Sequence, residues 1–378
     1  MTPAQTRSIP FFDYPHLFLS EEQELTAIFR EVGMRGAFIL QEDLARFERN
    51  LAAYLGVRYA LGVGNATDGL LLALRAAGIG PGDEVIFCSH TMVATAAAIH
   101  FAGATPVPVE CGEDHLIDPE AVERAVTART RAILPTQLNG RTADMQALES
   151  IAKQYGLAIV EDAAQALGSR FQGRAAGSFG AAGAISFFPA KTLGCLGDGG
   201  AILTNSDDVY ERIIQLRDHG RGSDGEIVSW GLNSRLDNLQ AAILDFRLAA
   251  YDTTIERRRV LAGVYQDRLR TIEHLKLPPG LDHREHDRDH FDVFQNYEIE
   301  AERRDQLRGF LNSHQIGTAL PWGGKAVHQW TKLGFKTHLP FTERVFERVL
   351  LLPLNLSLTQ DDVHHICDTI ENFYRAGC

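Results

Sequence analysis

Two residues in this chain have the types and surroundings to do covalent chemistry. Lys191 stands in Ile185-Ser186-Phe187-Phe188-Pro189-Ala190-Lys191-Thr192-Leu193-Gly194, after an apolar run and at the opening of a glycine-rich stretch. Those neighbours solvate an ammonium poorly, so the amine is placed for use rather than for solubility. Asp162 follows Leu157-Ala158-Ile159-Val160-Glu161, a buried strand that ends in a carboxylate, where α/β sheets hold their ligands. A lysine able to form a Schiff base, with an aspartate able to keep a pyridine nitrogen protonated, is the minimal equipment for pyridoxal 5'-phosphate.

Three further stretches fit the same chemistry. Leu61-Gly62-Val63-Gly64-Asn65-Ala66-Thr67-Asp68-Gly69-Leu70 puts small residues between a strand and an amphipathic helix. The free N–H groups of a helix start there, with the Thr67 hydroxyl beside them, make a phosphate seat; taken alone, the stretch is an Asn or Thr helix cap. Ser186 could donate its hydroxyl to the same phosphate, and Gln165, a helical turn after Asp162, could meet a phenolic oxygen. Either is ordinary in isolation, and Asp162 itself could cap a following helix. Ala163-Ala164 instead leaves room for something flat to pack closely.

These residues need elements that bring them to one edge. Short apolar runs bounded by turn residues cover Tyr59 to Val63, Glu84 to Phe87, Pro106 to Val109, Ala132 to Pro135, Leu157 to Val160, Ala184 to Phe188 and Ala201 to Thr204. Helical patterns such as Leu70 to Ala77, Thr95 to Ala102 and Met145 to Tyr155 separate them. Alternation of this kind gives an α/β fold with a mostly parallel seven-stranded sheet flanked by helices, its ligand edge at the strand C-terminal ends. Beyond Asn205 the texture turns helical, with a long segment from Asn238 to about Asp267 that ends before Leu277-Pro278-Pro279-Gly280. We therefore expect an N-terminal arm and large domain over 1–250 and a smaller C-terminal α+β domain over 251–378.

Composition excludes several classes. With 37 basic and 49 acidic residues the net charge is −12, which offers no general attraction to nucleic acid or to anionic membranes. The 5 cysteines are scattered without Cys-x-x-Cys spacing, which argues against a disulfide framework and a structural zinc site and fits a reducing, cytoplasmic compartment. Met1 to Pro15 has no apolar signal core, and no stretch reaches the roughly 18 apolar residues of a membrane span. No metal site is expected: His283, His286 and His290 lie in a strongly charged, solvated stretch. Gly197-Asp198-Gly199-Gly200 lacks the lysine of a nucleotide P-loop and reads as a turn, and Cys195 reads as an inert buried thiol.

Taken together, Val160-Glu161-Asp162-Ala163-Ala164-Gln165, Ser186-Phe187-Phe188-Pro189-Ala190-Lys191 with Gly197-Asp198-Gly199-Gly200, and Gly231-Leu232-Asn233-Ser234-Arg235 resemble the DegT/StrS-type nucleotide-sugar aminotransferases. The resemblance covers nearly the whole chain, from Phe38-Ile39-Leu40 and Phe47-Glu48 to Leu351-Leu352-Pro353-Leu354. It implies the fold of the type I, aspartate aminotransferase-like pyridoxal phosphate enzymes. It also implies that Lys191 holds the cofactor covalently, Asp162 pairs with its ring nitrogen, Gln165 meets its hydroxyl, and Ala66, Thr67 and Ser186 hold its phosphate. Asn233 would reach the phosphate in a neighbouring subunit, so a homodimer with shared active sites is implied.

Some positions depart from the family pattern. Met92 stands where an aromatic ring usually covers the cofactor face, Gln137-Leu138-Asn139-Gly140 replaces His-Leu-Tyr-Gly, and Pro321-Trp322 replaces a His-Tyr pair. A thioether still packs on an aromatic ring. The implied reaction moves an amino group from an amino acid, L-glutamate, to a 3-keto or 4-keto deoxysugar on a nucleotide, or to a ketocyclitol, as in deoxyaminosugar biosynthesis. Two alternatives are a sugar dehydratase, whose relatives carry histidine where this chain has Lys191, and a silent cofactor-binding regulatory protein.

Overall fold

A computed structural model describes residues 8–281 and 289–375. In chain order, β1 (Tyr59–Val63), β2 (Glu84–Cys88), β3 (Thr105–Val109), β4 (Thr130–Leu134) and β5 (Ala158–Asp162) precede a two-residue-per-strand hairpin, β6 (Arg170–Phe171) and β7 (Arg174–Ala175). Strands β8 (Ala182–Ser186) and β9 (Gly200–Thr204) follow. Strand β10 (Leu275–Lys276) joins the later β12 (Tyr297–Ala301) and β13 (Val349–Leu352) in an antiparallel sheet, while β11 (His290–Phe291) pairs with β6.

The main sheet has 7 strands in the order β1-β9-β8-β5-β4-β2-β3. Neighbours from β8 through β5, β4 and β2 to β3 are parallel, whereas β9 runs antiparallel to both β8 and β1. The C-terminal ends of β1, β2, β5 and β8 and the start of β9 therefore share one edge.

Side-chain alternation explains why both faces are covered. On one face Val85, Phe87, Ala132, Leu134 and Val160 pack with Leu70, Leu74, Ala98 and Ile99 from helices Ala66–Ala76 and Val93–Phe101. On the other, Ile86, Cys88, Ile133 and Ile159 pack with Met145, Leu148 and Ile151 of helix Met145–Tyr155, while Ile185 and Leu203 meet Phe47, Leu51 and Leu244 from helices Glu42–Leu55 and Asn238–Leu248. Each fully buried Val, Leu, Ile, Phe or Met side chain among them contributes about 1.5–3 kcal/mol. Adjacent residues of the central strand β5 divide the same way. Glu161, fully buried, accepts from the N–H groups of Gly177 (2.8 Å) and Phe179 (2.5 Å) and from Gln137 Nε2 (2.6 Å), and burial still lifts its pKa to about 7.

Some boundaries differ from the sequence reading. The run Ala184 to Phe188 forms a strand only to Ser186, beyond which the chain bends into the loop that carries Lys191. The segment Asn238 to Asp267 is two helices, Asn238–Leu248 and Tyr251–Leu269, with Ala250 outside helical geometry. In the second helix Tyr251 and Ile255 join the large-sheet core, whereas Leu261, Ala262, Tyr265 and Leu269 pack with Tyr297, Ile299, Leu350 and Ile370 around the small sheet. Four cysteines, Cys88, Cys111, Cys195 and Cys367, are free and buried. Among the described residues no helix is long and apolar enough to cross a membrane.

Candidate active site

Asp162 is the last residue of β5 and is buried. No helix follows it, so it caps none; the chain turns instead through Ala163 to Ser169, with Gly168 at φ 83°. Thr95 Oγ1 donates to Asp162 Oδ2 at 2.6 Å and the Ala164 N–H donates to Oδ1 at 3.2 Å. Burial raises the carboxyl's pKa, and the Thr95 and Ala164 donors together with Lys191 oppose that rise. Thr95 belongs to a chain of buried hydroxyls: it lies 2.8 Å from Thr91 Oγ1, which accepts from Thr136 Oγ1 at 2.9 Å. These three threonines come from the ends of β2 and β4 and from the next helix, segments that no local sequence signal connects. The carboxylate is thereby fixed in one orientation.

Lys191 sits in the β8–β9 loop, half-buried, with its N–H donating to Phe188 O at 2.8 Å. Burial pulls its pKa down to about 8, against the pull of Asp162 in the other direction. The loop is clamped on both sides of the lysine by one side chain: Gln295 accepts from Thr192 N–H and donates to Ala190 O, each at 2.8 Å. Thr192 Oγ1 also meets the Tyr251 hydroxyl at 2.5 Å. Neither Gln295 nor Tyr251 was legible in sequence, since each lies far along the chain in an ordinary setting. Cys195 is buried, and its thiol is pushed up to about 12 by burial.

The stretch expected to seat a phosphate lies at the start of helix Ala66–Ala76. Asn65 is the cap, accepting from Asp68 N–H at 2.9 Å, so Ala66 and Thr67 occupy the first two helical positions, where N–H groups have no intrahelical acceptor. Ser186 pairs in register with Gly200. A Cβ on Gly200 would stand 2.7 Å from the Asn65 carbonyl carbon and 2.8 Å from Ala66 N, so only glycine lets β9 start against this helix end. Ser186, Ala66 and Thr67 are thus brought to one place, at the edge that also holds Asp162.

Gln165 is buried in a turn rather than on a helix, and its Oε1 accepts from Asn139 N–H at 2.8 Å, leaving the amide end to donate. Met92 precedes helix Val93–Phe101 and is 51% exposed. Asn233 is exposed; its neighbour Ser234 accepts from Gly64 N–H at 3.1 Å and Arg235 pairs with Asp218 at 2.8 Å. Gly231 allows a close chain crossing, because a Cβ there would stand 2.2 Å from Gly220 N. Gln137 is a buried strut between Glu161 and Ala143 N–H. Of the three histidines in the charged stretch, His290 lies in β11 against Phe171, and His283 and His286 lie outside the described residues.

The family model described as the DegT/DnrJ/EryC1/StrS aminotransferase family matches residues 20–371. The chain is 39% identical over 384 residues to a dTDP-3-amino-3,4,6-trideoxy-alpha-D-glucose transaminase of Streptomyces venezuelae, covering 98% of this chain and 97% of the relative. It is 38% identical over 376 residues to a Pleiotropic regulatory protein of Geobacillus stearothermophilus, covering 97% and 99%. Among solved structures, S. venezuelae DesV in complex with a ketimine intermediate superposes with a TM-score of 0.92 at 39% identity, over 97% of this chain and 99% of that one. A family match over nearly the whole length, joined to a sheet edge that gathers Asp162, Lys191 and a helix start, shows that this chain belongs to the DegT/DnrJ/EryC1/StrS aminotransferase family.

Proposed function

We propose that the chain is a pyridoxal phosphate-dependent aminotransferase that moves an amino group from L-glutamate to a nucleotide-linked ketosugar. The observation that carries this reading is the half-buried Lys191 amine, pulled down to about 8, acting on a buried Asp162 at the edge where the Ala66–Ala76 helix starts. The donor set fits the cofactor: N–H groups for a phosphate, an amine for an aldehyde, a carboxylate for a ring nitrogen. The name of the S. venezuelae relative supports a nucleotide-bound deoxysugar as acceptor.

When bound, pyridoxal 5'-phosphate supplies an aldehyde carbon that takes up amines and a ring that spreads negative charge away from the reacting carbon. The protein does the rest. Lys191 holds the cofactor between turnovers and, once released, carries a proton to and from the substrate carbon. Asp162, oriented by Thr95, keeps a proton on the ring nitrogen. The N–H groups of Ala66 and Thr67 and the Ser186 hydroxyl would hold the phosphate, the amide end of Gln165 would donate to the ring oxygen, and the exposed Met92 thioether would pack against the ring.

Asn233 of the partner subunit completes the phosphate seat in a homodimer. Exposed Ile227, Val228 and Trp230, the last 94% exposed, lie three to six residues before Asn233 in the chain and support burial of this segment against a second copy. The four buried thiols support a reducing, cytoplasmic setting.

The test is a panel of dTDP- and UDP-linked ketosugars given with L-glutamate, with mass-spectrometric detection of aminated product. Lys191→Ala should lose the visible absorbance of the bound cofactor and lower turnover by about 10²–10⁴-fold. Dehydrated sugar without amine would assign a dehydratase. Failure of the glutamate half-reaction would favour the regulatory reading that the Geobacillus stearothermophilus relative's name suggests.

A further inference from the structure

His90 is a buried side chain with no hydrogen-bond partner. It is 1% exposed, and neither ring nitrogen is satisfied. Its Nε2 lies 3.5 Å from Glu298 Oε2, a buried oxygen that also lacks a hydrogen bond. Phe346 packs against the imidazole at 4.7 Å between ring centroids. The two groups face each other at ion-pair distance without a well-formed hydrogen bond, an arrangement that is costly in a dense core, and a partner that satisfies both at once removes the cost.

A second histidine points at the same carboxylate. His115 Nδ1 is 2.7 Å from Glu298 Oε1, and its Nε2 is 3.1 Å from Glu300 Oε1. Glu300 is held in turn by Lys276 at 3.2 Å and Arg348 at 3.5 Å. One donor atom from each of His90, His115 and Glu298 lies within 4.8 Å of the others. Two imidazoles and a carboxylate are a zinc-type ligand set, and bonds of about 2.0–2.1 Å in a tetrahedron put ligand atoms roughly 3.3 Å apart. His90 Nε2 stands 3.5 Å from Oε2 of Glu298 and His115 Nδ1 stands 2.7 Å from Oε1, so binding one ion turns the carboxylate to present a single oxygen, opens the His115 contact by about 0.6 Å and closes the wider separations of the set, which reach up to 4.8 Å. Glu300 on the far nitrogen of His115 is the outer partner that fixes the tautomer and aim of a metal-bound imidazole.

We propose that His90, His115 and Glu298 bind one divalent cation of the zinc class. Water completes the coordination from the small cavity bordered by His115, Glu298, Asn139 and Asn296. The ion ties the end of β2 and the Gly112–Leu116 turn to β12 of the small sheet, one residue before Thr91 and its hydroxyl chain. Its role is to hold the small sheet against the large one, and it takes no part in the Lys191 chemistry. The competing occupant is a proton on His115, which burial disfavours but Glu298 and Glu300 favour, pushing its pKa up to about 9.

The experiment uses full-length holoprotein stripped with a chelator and titrated with Co²⁺, then with Zn²⁺. The proposal expects a visible tetrahedral cobalt spectrum saturating at about one equivalent per chain, its displacement by zinc, and a rise in melting temperature. His90→Phe, which keeps the ring against Phe346, and Glu298→Gln should abolish the spectrum and the thermal shift while the absorbance of the cofactor on Lys191 reports that the variants are folded. Absence of any cobalt spectrum in the unmutated protein overturns the proposal. So does a spectrum that persists in His90→Phe, as binding by the histidines at 283, 286 and 290 would give.

Discussion

Lys191 carries its reactivity in its proton affinity. Only the neutral amine attacks an aldehyde, and with a pKa near 8 it is neutral over a range where an ordinary lysine is charged. In cofactor-free protein, capture of pyridoxal phosphate by Lys191, trapped by borohydride and located by mass spectrometry, should rise with pH to half-maximum at about 8. A midpoint near that of free lysine, about 10.4, would sink the idea. Because the folded pKa lies below the unfolded one, the unfolded chain binds the extra proton in between. Stability of the cofactor-free protein therefore gains from this group as pH rises from about 8 to 10.5. Asp162 depends on Thr95 in a comparable way. Thr95→Val removes a hydrogen bond to a charged group worth about 1.5–3 kcal/mol, which lifts the carboxyl's pKa further. The acid limb of the activity profile should move up in pH with little change in the alkaline limb, whereas a merely structural loss would scale the whole profile down.

At the scale of elements, the proposed phosphate seat is a contact between a strand start and a helix start. Gly200→Ala places a methyl group against Asn65 and Ala66 backbone, which cannot move without shifting either β9 or the helix. The expected cost is about 1–3 kcal/mol of stability, read as a lower melting temperature, together with weaker retention of the cofactor in a phosphate competition assay. That a strand runs through small residues into a helix start at Asn65 to Thr67 was legible, because all three occur in one continuous stretch, as were six of the seven strand directions. Strand β9 was not: its alternation looks the same whichever way it runs, and only its pairing with β1 and β8 decides. The break between Leu248 and Tyr251 was hidden for a related reason. Ala249 and Ala250 are good helix formers, so nothing local marks the stop; Leu248 before the break and Tyr251 after it pack in the same large-sheet core, and the change to the small-sheet core comes only from Leu261 onward, inside the second helix. The Thr136–Thr91–Thr95 chain and the His90, His115 and Glu298 group were invisible because each is assembled from distant segments.

At the scale of the whole molecule, shared sites make a prediction that one chain alone cannot satisfy. If Asn233 serves the partner subunit, mixing Lys191→Ala chains with Asn233→Ala chains puts both lesions in one site of each mixed dimer and leaves the other intact. Random pairing then returns about a quarter of wild-type sites, while each variant alone stays low. No recovery after subunit exchange, with mixed dimers shown by native mass spectrometry, would place Asn233 in its own subunit's site. The paired carboxylates of β5 bear on how such a molecule reaches its working form. Strand β5 is the middle one of the sheet order, and its last two residues face opposite sides. A slip by one residue would carry Glu161 towards the threonines and leave the Gly177 and Phe179 N–H groups with no acceptor. The central strand is thus keyed, like a plug with unlike pins, so that a chain whose sheet has assembled in the wrong register cannot also present the Asp162 carboxylate to a cofactor.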